Sequence, residues 1–463
     1  MQQAMTLSGV KTKYPAVDYF FWLIIIFYLD PGGFILVNFN MRIALSIMFV
    51  LLWLCFFAAD MGALRFVFGN KWIRAYSIII GLWLIYYVFI YDVLNSVYFD
   101  DQFTPIIKTG TYLFQFFMVI PIYFFACRSL VLFIKLFSLV TIIILTMYLI
   151  TVLFNAGLLT LYIGPRGYTA VNRYLLRGYG IMQLAPYFGA ALLILPLKSR
   201  VRNMMIIAAF MVVLMWILTI VRRQMIAMLM LSLWIFIIGS QLLRLKLFRY
   251  QRNMIMLLFS LIVVVYVFFP DYLSATTDTY KNMVEVFEDE ATTADLRSER
   301  RRMSLTANEY ILRAFNRNRL FGTGYNPQWY KGDGGKERLE GSDYVFISCL
   351  GMYGIVGVSV FSLYYILMFI FFRKIFIWIK KNNKLMLSSV KISWPSLCIF
   401  TGGLIFFLQH LIEYPNWFYM IGAVADSSKF FILTGLLFGA VKYLEVQLYY
   451  IYQGSLASVP DLG

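Results

Sequence analysis

Residues 130–154 read LVLFIKLFSLVTIIILTMYLITVLF, with Lys135 as the one charged side chain. A helix crossing about 30 Å of hydrocarbon needs roughly 20 apolar residues, so this stretch reads as a membrane span. Runs of the same kind recur near 17–38, 41–59, 74–91, 111–127, 178–197, 203–221, 224–240, 253–269, 344–372, 390–411 and 429–450, bringing the expected total to twelve. The rest of the composition agrees. Only 14% of the 463 residues are charged and 61% are hydrophobic, with a mean hydropathy of +0.76. A soluble domain carries about 25% charged residues, so a soluble enzyme is excluded. The expected fold is all-α and polytopic: one transmembrane domain over 1–463 and one large, partly helical loop, 270–342, between spans nine and ten.

The net charge of +17 would suggest nucleic acid in a soluble protein. In a polytopic one it follows from the enrichment of Lys and Arg in cytoplasmic loops, and no nucleic acid is expected as a partner. With the N-terminus inside, the cytoplasmic loops hold Arg65, Lys71 and Arg74; Arg128; Lys198, Arg200 and Arg202; Arg244, Lys246, Arg249 and Arg252; and Arg373, Lys374, Lys380, Lys381 and Lys384. The opposite loops hold Asp92, Asp100, Asp101, Glu413 and Asp426. Loop 270–342 adds 12 of the chain's 23 acids. Such a long connection is uncommon and usually functional; Met303, Ala307, Tyr310, Ile311 and Ala314 recur in it at helical spacing.

Cys55, Cys127, Cys349 and Cys398 lie in or beside apolar runs without metal-site spacing, and read as packing residues. The single histidine, His410, falls inside span eleven, so a His-based zinc site cannot be assembled and no metal or other cofactor is expected. A hydrophilic start with Lys11 and Lys13 precedes a first run long enough to remain as an anchor, so no cleavable signal is expected. The Gly-rich stretch Lys331-Gly332-Asp333-Gly334-Gly335-Lys336 lacks the strand-to-helix context and the Ser or Thr of a phosphate loop.

Arginines on the outer side run against the orientation rule. Arg166, Arg173 and Arg177 lie between spans five and six, Arg222 and Arg223 at the turn between spans seven and eight, and Arg297, Arg300, Arg301 and Arg302 in the long loop. Guanidinium grips phosphate oxygens through a bidentate fork, and several together would suit a diphosphate. Contact with lipid headgroups or with the loop's acids is the plainer alternative. Tyr325, Trp329, Tyr330, Tyr344, Tyr414, Trp417 and Tyr419 read either as an interfacial belt or as faces on which sugar rings stack.

The stretch Leu320-Phe321-Gly322-Thr323-Gly324-Tyr325, then Ser342-Asp343-Tyr344, then Tyr353-Gly354-Ile355-Val356-Gly357, resembles the C-terminal signature of the superfamily of O-antigen ligases and Wzy-type O-antigen polymerases. Val221-Arg222-Arg223-Gln224, followed by a helix bearing the small residue Ala227, is similar to that family's arginine-bearing turn. The ligase branch has His where this chain has Asp343, which favours the polymerase branch. The resemblance implies a metal-independent, inverting glycosyltransferase in the bacterial inner membrane, its active site facing the periplasm. It would move a growing glycan from undecaprenyl diphosphate to the non-reducing end of a second lipid-linked repeat unit. Membrane lipid and a chain-length regulator protein are its further implied partners.

Such chemistry needs charge stabilisation on the leaving diphosphate and a base for the acceptor hydroxyl. Arg223 and Arg301 are the catalytic arginine candidates, with Arg302 the other loop arginine at suitable spacing to Gly322. Arg222, Arg297, Arg300, Arg302, Arg166 and Arg173, with Tyr325 and Tyr344, are candidates for substrate binding. Asp343 is the candidate base, and equally reads as the N-cap of the next helix; Glu413, at the outer end of span eleven, is the second carboxylate. Three rival readings stay open: a ligase delivering glycan to lipid A core; a flippase or carrier, which would show repeat symmetry and broken helices at the midplane; and a non-catalytic assembly subunit.

The orientation is testable in a cysteine-free background. A cysteine at Gly334 should label with an impermeant maleimide from outside and one at Asn382 from inside only; equal labelling of both would overturn the expected topology.

Overall fold

A computed structural model describes residues 15–29, 41–86, 116–155, 180–195, 199–218, 315–316, 318–322, 345–388, 390–413 and 424–457. Nearly all of these residues are helical, and there is no strand among them. In lipid every backbone N–H and C=O must be paired internally, and a helix does this within one segment. The helices are α1 (Ala16–Leu29), α2 (Met41–Ala59), α3 (Ala63–Phe68), α4 (Lys71–Ile85), α5 (Val119–Asn155), α6 (Gly180–Ile194), α7 (Arg200–Leu218), α8 (Val345–Lys381), α9 (Asn383–Ser388), α10 (Val390–Glu413) and α11 (Val424–Ala457). Among the described residues, Val119–Thr146, Gly354–Lys381, Ile392–Gln409 and Phe430–Tyr449 are long and apolar enough to cross a membrane, and shorter apolar helices lie at Ala16–Leu29, Ile47–Ala59 and Leu184–Leu193. The protein is a helical membrane protein. The runs expected at 224–240 and 253–269, and the loop 270–342 except for 315–316 and 318–322, lie outside the described residues.

One boundary differs from the sequence reading. Runs 111–127 and 130–154 were separated there by a loop at Arg128, whereas α5 passes through that point and only Ser129 leaves helical geometry (φ −138°, ψ 36°). The break is held by side chains. Ser129 Oγ donates to the Phe125 carbonyl at 3.1 Å and accepts from the Trp22 indole at 2.9 Å. Trp22 touches a ring on either side of the break, Phe125 and Phe133, with centroids 6.4 and 4.8 Å away. Next to it, Arg128 Nε lies 3.2 Å from a carboxylate oxygen of Asp18, whose side chain is fully buried in the first turn of α1. A helix N-terminus also favours an acid there.

Direction along the bundle follows from which rings meet. Trp72 of α4 packs against Phe371 of α8 while Tyr76 packs against Tyr364, so these helices run antiparallel. The start of α5 runs parallel to α11: Phe116 meets Phe431, Gly435 sits against Ile122, and Gly439 sits against Ala126. In α10 and α11, Gly403 faces Leu437 and Phe406 faces Phe430, an antiparallel pair. One end of the bundle gathers the basic side chains, with the Lys71 and Lys374 ammonium groups 5.4 and 5.9 Å from the Trp72 ring centre.

Tight packing replaces the hydrophobic drive that is missing between helices in lipid. Gly435 and Gly439, one turn apart on α11, let the backbone of α5 approach so closely that a side chain at Gly439 would overlap Ala126 and come within 2.9 Å of the Tyr123 carbonyl. Two buried tyrosine hydroxyls bond between neighbouring helices: Tyr364 of α8 with Thr434 of α11 at 2.7 Å, and Tyr76 of α4 to the Phe116 carbonyl at 2.9 Å. Three of the four cysteines, Cys55, Cys127 and Cys398, are buried and unbridged, as packing residues should be.

Gly439→Val forces α5 and α11 apart and should destabilise the protein by about 1–3 kcal/mol, read as a lower unfolding midpoint in detergent. Gly81, where a Cβ meets nothing within 4 Å, should accept Ala with no loss.

Candidate functional site

The two glycine turns of the signature meet. Gly354 interrupts α8 at φ 61°, ψ −172°, a region that essentially only glycine occupies. Helical bonding fails there, so the amides just beyond it have lost their carbonyls within the helix. They find others within the long loop, in its segment 318–322, called the loop end below: Ile355 N–H donates to the Arg319 carbonyl at 3.0 Å and Val356 N–H to the Leu320 carbonyl at 2.9 Å. The loop end forms a turn to fit. Gly322 N–H closes onto the Asn318 carbonyl at 2.8 Å, the Asn318 side chain accepts from Phe321 N–H at 3.2 Å, and Gly322 takes φ 75°. The close approach leaves no room at Gly354, where a Cβ would overlap the Gly322 nitrogen and the Leu320 carbonyl.

Two further groups join this clasp. The Tyr86 hydroxyl, beyond the end of α4, donates to the Phe321 carbonyl at 3.0 Å. The exposed Arg319 guanidinium donates to the Asn316 side-chain oxygen at 3.0 Å, which steadies a cation on the surface of the turn. Sequence reading passed over both. Arg319 sits in the row Arg313, Arg317, Arg319, where nothing in the spacing marks one above the others, and Tyr86 is one of 33 tyrosines, in a run that reads as plain membrane span.

Glu413 closes α10 as its last residue. Arg166, Arg173, Arg222, Arg223, Arg297, Arg300, Arg301, Arg302, Tyr325, Asp343 and Tyr344 lie outside the described residues; Asp343 and Tyr344 directly precede Val345, where α8 begins. Of the sequence-derived pattern, the structure thus brings together the Leu320-Phe321-Gly322 and Gly354-Ile355-Val356 elements. Chemically, the clasp itself offers a fixed backbone turn and one exposed guanidinium. No protein-family model and no curated protein matches this chain.

Gly354→Ala should undo the clasp. A side chain at that backbone conformation costs about 1–3 kcal/mol before the overlap with the loop is counted, so hydrogen exchange at Ile355 and Val356 should rise sharply while α10 keeps its protection. Unchanged protection at those two amides would refute the clasp.

Proposed function

We propose that this protein is a membrane glycosyltransferase that polymerises undecaprenyl-diphosphate-linked oligosaccharide repeat units into O-antigen or a related surface polysaccharide, working at the periplasmic face of a bacterial inner membrane. One observation carries the reading. The two short motifs that resemble the polymerase and ligase superfamily, with Gly322 and Gly354 at their centres, dock through paired hydrogen bonds, and both glycines take positive φ. The contact gives the two matched glycines a shared structural role, which supports the resemblance.

In this reading the chain crosses the membrane many times, and loop 270–342 lies outside, with its residues 319–322 held at the Gly354 break. Arginines supply the charge that a departing diphosphate requires. Guanidinium does so without a metal, since it stays protonated and presents fixed N–H groups to phosphate oxygens. Arg223 and Arg301 are assigned to the leaving group, with Arg222, Arg297, Arg300, Arg302, Arg166 and Arg173 binding lipid-linked substrate; Arg319 adds a guanidinium at the clasp. Asp343 takes the proton of the acceptor hydroxyl as that oxygen displaces undecaprenyl diphosphate from the donor's anomeric carbon. The glycosidic bond forms as the bond to the diphosphate breaks, with inversion, and the negative charge leaves on the diphosphate. Tyr325 and Tyr344 offer ring faces to the sugars, and Glu413 is the second carboxylate available as base.

Deleting the gene tests the reaction class directly. Surface polysaccharide on a gel should collapse to single capped repeat units. Free lipid-linked polymer would instead identify a ligase, and lipid-linked units accumulating in the cytoplasm a flippase; either sinks the polymerase reading.

Asp343→Asn tests the base. Asn caps a helix about as well as Asp but takes no proton at neutral pH, so polymerisation should fall roughly 10²-fold or more with the protein abundant and folded. Near-normal polymer from this variant would transfer the role to Glu413.

A further inference from the structure

We infer that Tyr86 is a positioning residue of this site, its hydroxyl fixing the end of the long loop so that α4 forms a third wall beside the loop and α8. The inference deepens the polymerase reading and rests on it for the chemistry. Its geometry stands alone. Three consecutive carbonyls of the loop end, those of Arg319, Leu320 and Phe321, are each taken by a donor from outside the loop: Ile355 N–H, Val356 N–H and Tyr86 O–H. The first two donors belong to α8 and the third follows α4, so the loop end is pinned between two helices.

The tyrosine hydroxyl is what this arrangement uses. Tyr86 is 2% exposed, and a phenylalanine would fill the same space equally well. The oxygen adds a hydrogen-bonding group, and its donor is spent on the Phe321 carbonyl. α4 is in turn a firm reference. Trp83, one turn before Tyr86, packs on Phe116 with ring centres 4.4 Å apart, Phe116 packs on Phe431 at 4.2 Å, and Tyr76 hydrogen-bonds the Phe116 carbonyl. The hydroxyl therefore ties the loop end to the α4–α5–α11 body, while the Gly354 break ties it to α8. Transfer between two lipid-linked substrates needs its groups held at fixed separation, and displacements of about 1 Å at a distance can slow such reactions about 10²-fold.

The test uses the full-length protein in lipid nanodiscs and the variant Tyr86→Phe, which keeps the ring and removes the donor. Exchange at the Ile355 and Val356 amides should quicken about two- to tenfold, the range expected for one hydrogen bond, with α10 and α11 unchanged. With lipid-linked repeat unit extracted from gene-deleted cells as substrate, kcat should fall about tenfold while KM stays within about twofold, the pattern of an interaction realised in the transition state. Unaltered exchange at the two amides overturns the inference. So does faster exchange without a fall in kcat, which leaves the bond no part in the reaction, and so does acceleration spread over every helix, which makes the hydroxyl a contributor to overall stability. The exchange measurement needs no substrate, so it stays decisive for the junction even if gene deletion shows another reaction class.

Discussion

Every backbone polar group at membrane depth has to find a partner inside the protein, because hydrocarbon offers none. Most of the described residues answer that demand with helix. α8 does not: Gly354 turns the backbone out of helical geometry, and the amides of Ile355 and Val356 are released from their usual acceptors. The loop end 318–322 supplies the replacement carbonyls. Its seat is therefore dictated by α8 rather than chosen by the loop, and glycine at both 322 and 354 is the local condition for the fit. The architecture of the site follows from this one repair. A break in a span calls in a piece of the long loop, and the loop brings a surface arginine with it.

The surrounding helices make the repair precise enough to be useful. α4, α5, α8 and α11 interlock through edge-on aromatic contacts about Phe116, Tyr364, Phe371 and Phe438, and the glycines of α11 bring its axis close to α5. Such packing has few alternative arrangements. A turn anchored to it by three carbonyls inherits its rigidity, which suits a reaction in which two large lipid-borne substrates must meet in one geometry.

Much of this was written plainly in the sequence. Hydropathy marks the spans because each must exclude charge over its whole length, and α2, α7 and α10 begin and end within a few residues of the runs that announce them. The resemblance singled out Gly322 and Gly354, while their positive φ and the contact between their segments came only with the fold. Other features left no such trace. Arg128 marks the interruption of α5 to within one residue, but a charge between apolar runs reads the same whether the chain makes a loop or a break at a single serine. Asp18 looks like the polar edge of a first span, and only the fold shows it buried against Arg128. Tyr86 is silent for a similar reason: its ring obeys the span's pattern, and the bond that distinguishes it reaches a carbonyl 235 residues away.

That same distance in sequence has a meaning for biogenesis at the other end of the bundle. Trp22 and Ser129 are 107 residues apart, and chains emerge from the ribosome from the N-terminus onward. The first helix therefore enters the bilayer carrying an aspartate whose counter-charge has not yet been made, and a carboxylate is a poor occupant of lipid. Arrival of the α5 segment then lets the acid be covered and the indole find its serine. The seating of the first helix is thus completed by the fifth, because the partners of Asp18 and Trp22 stand at its break.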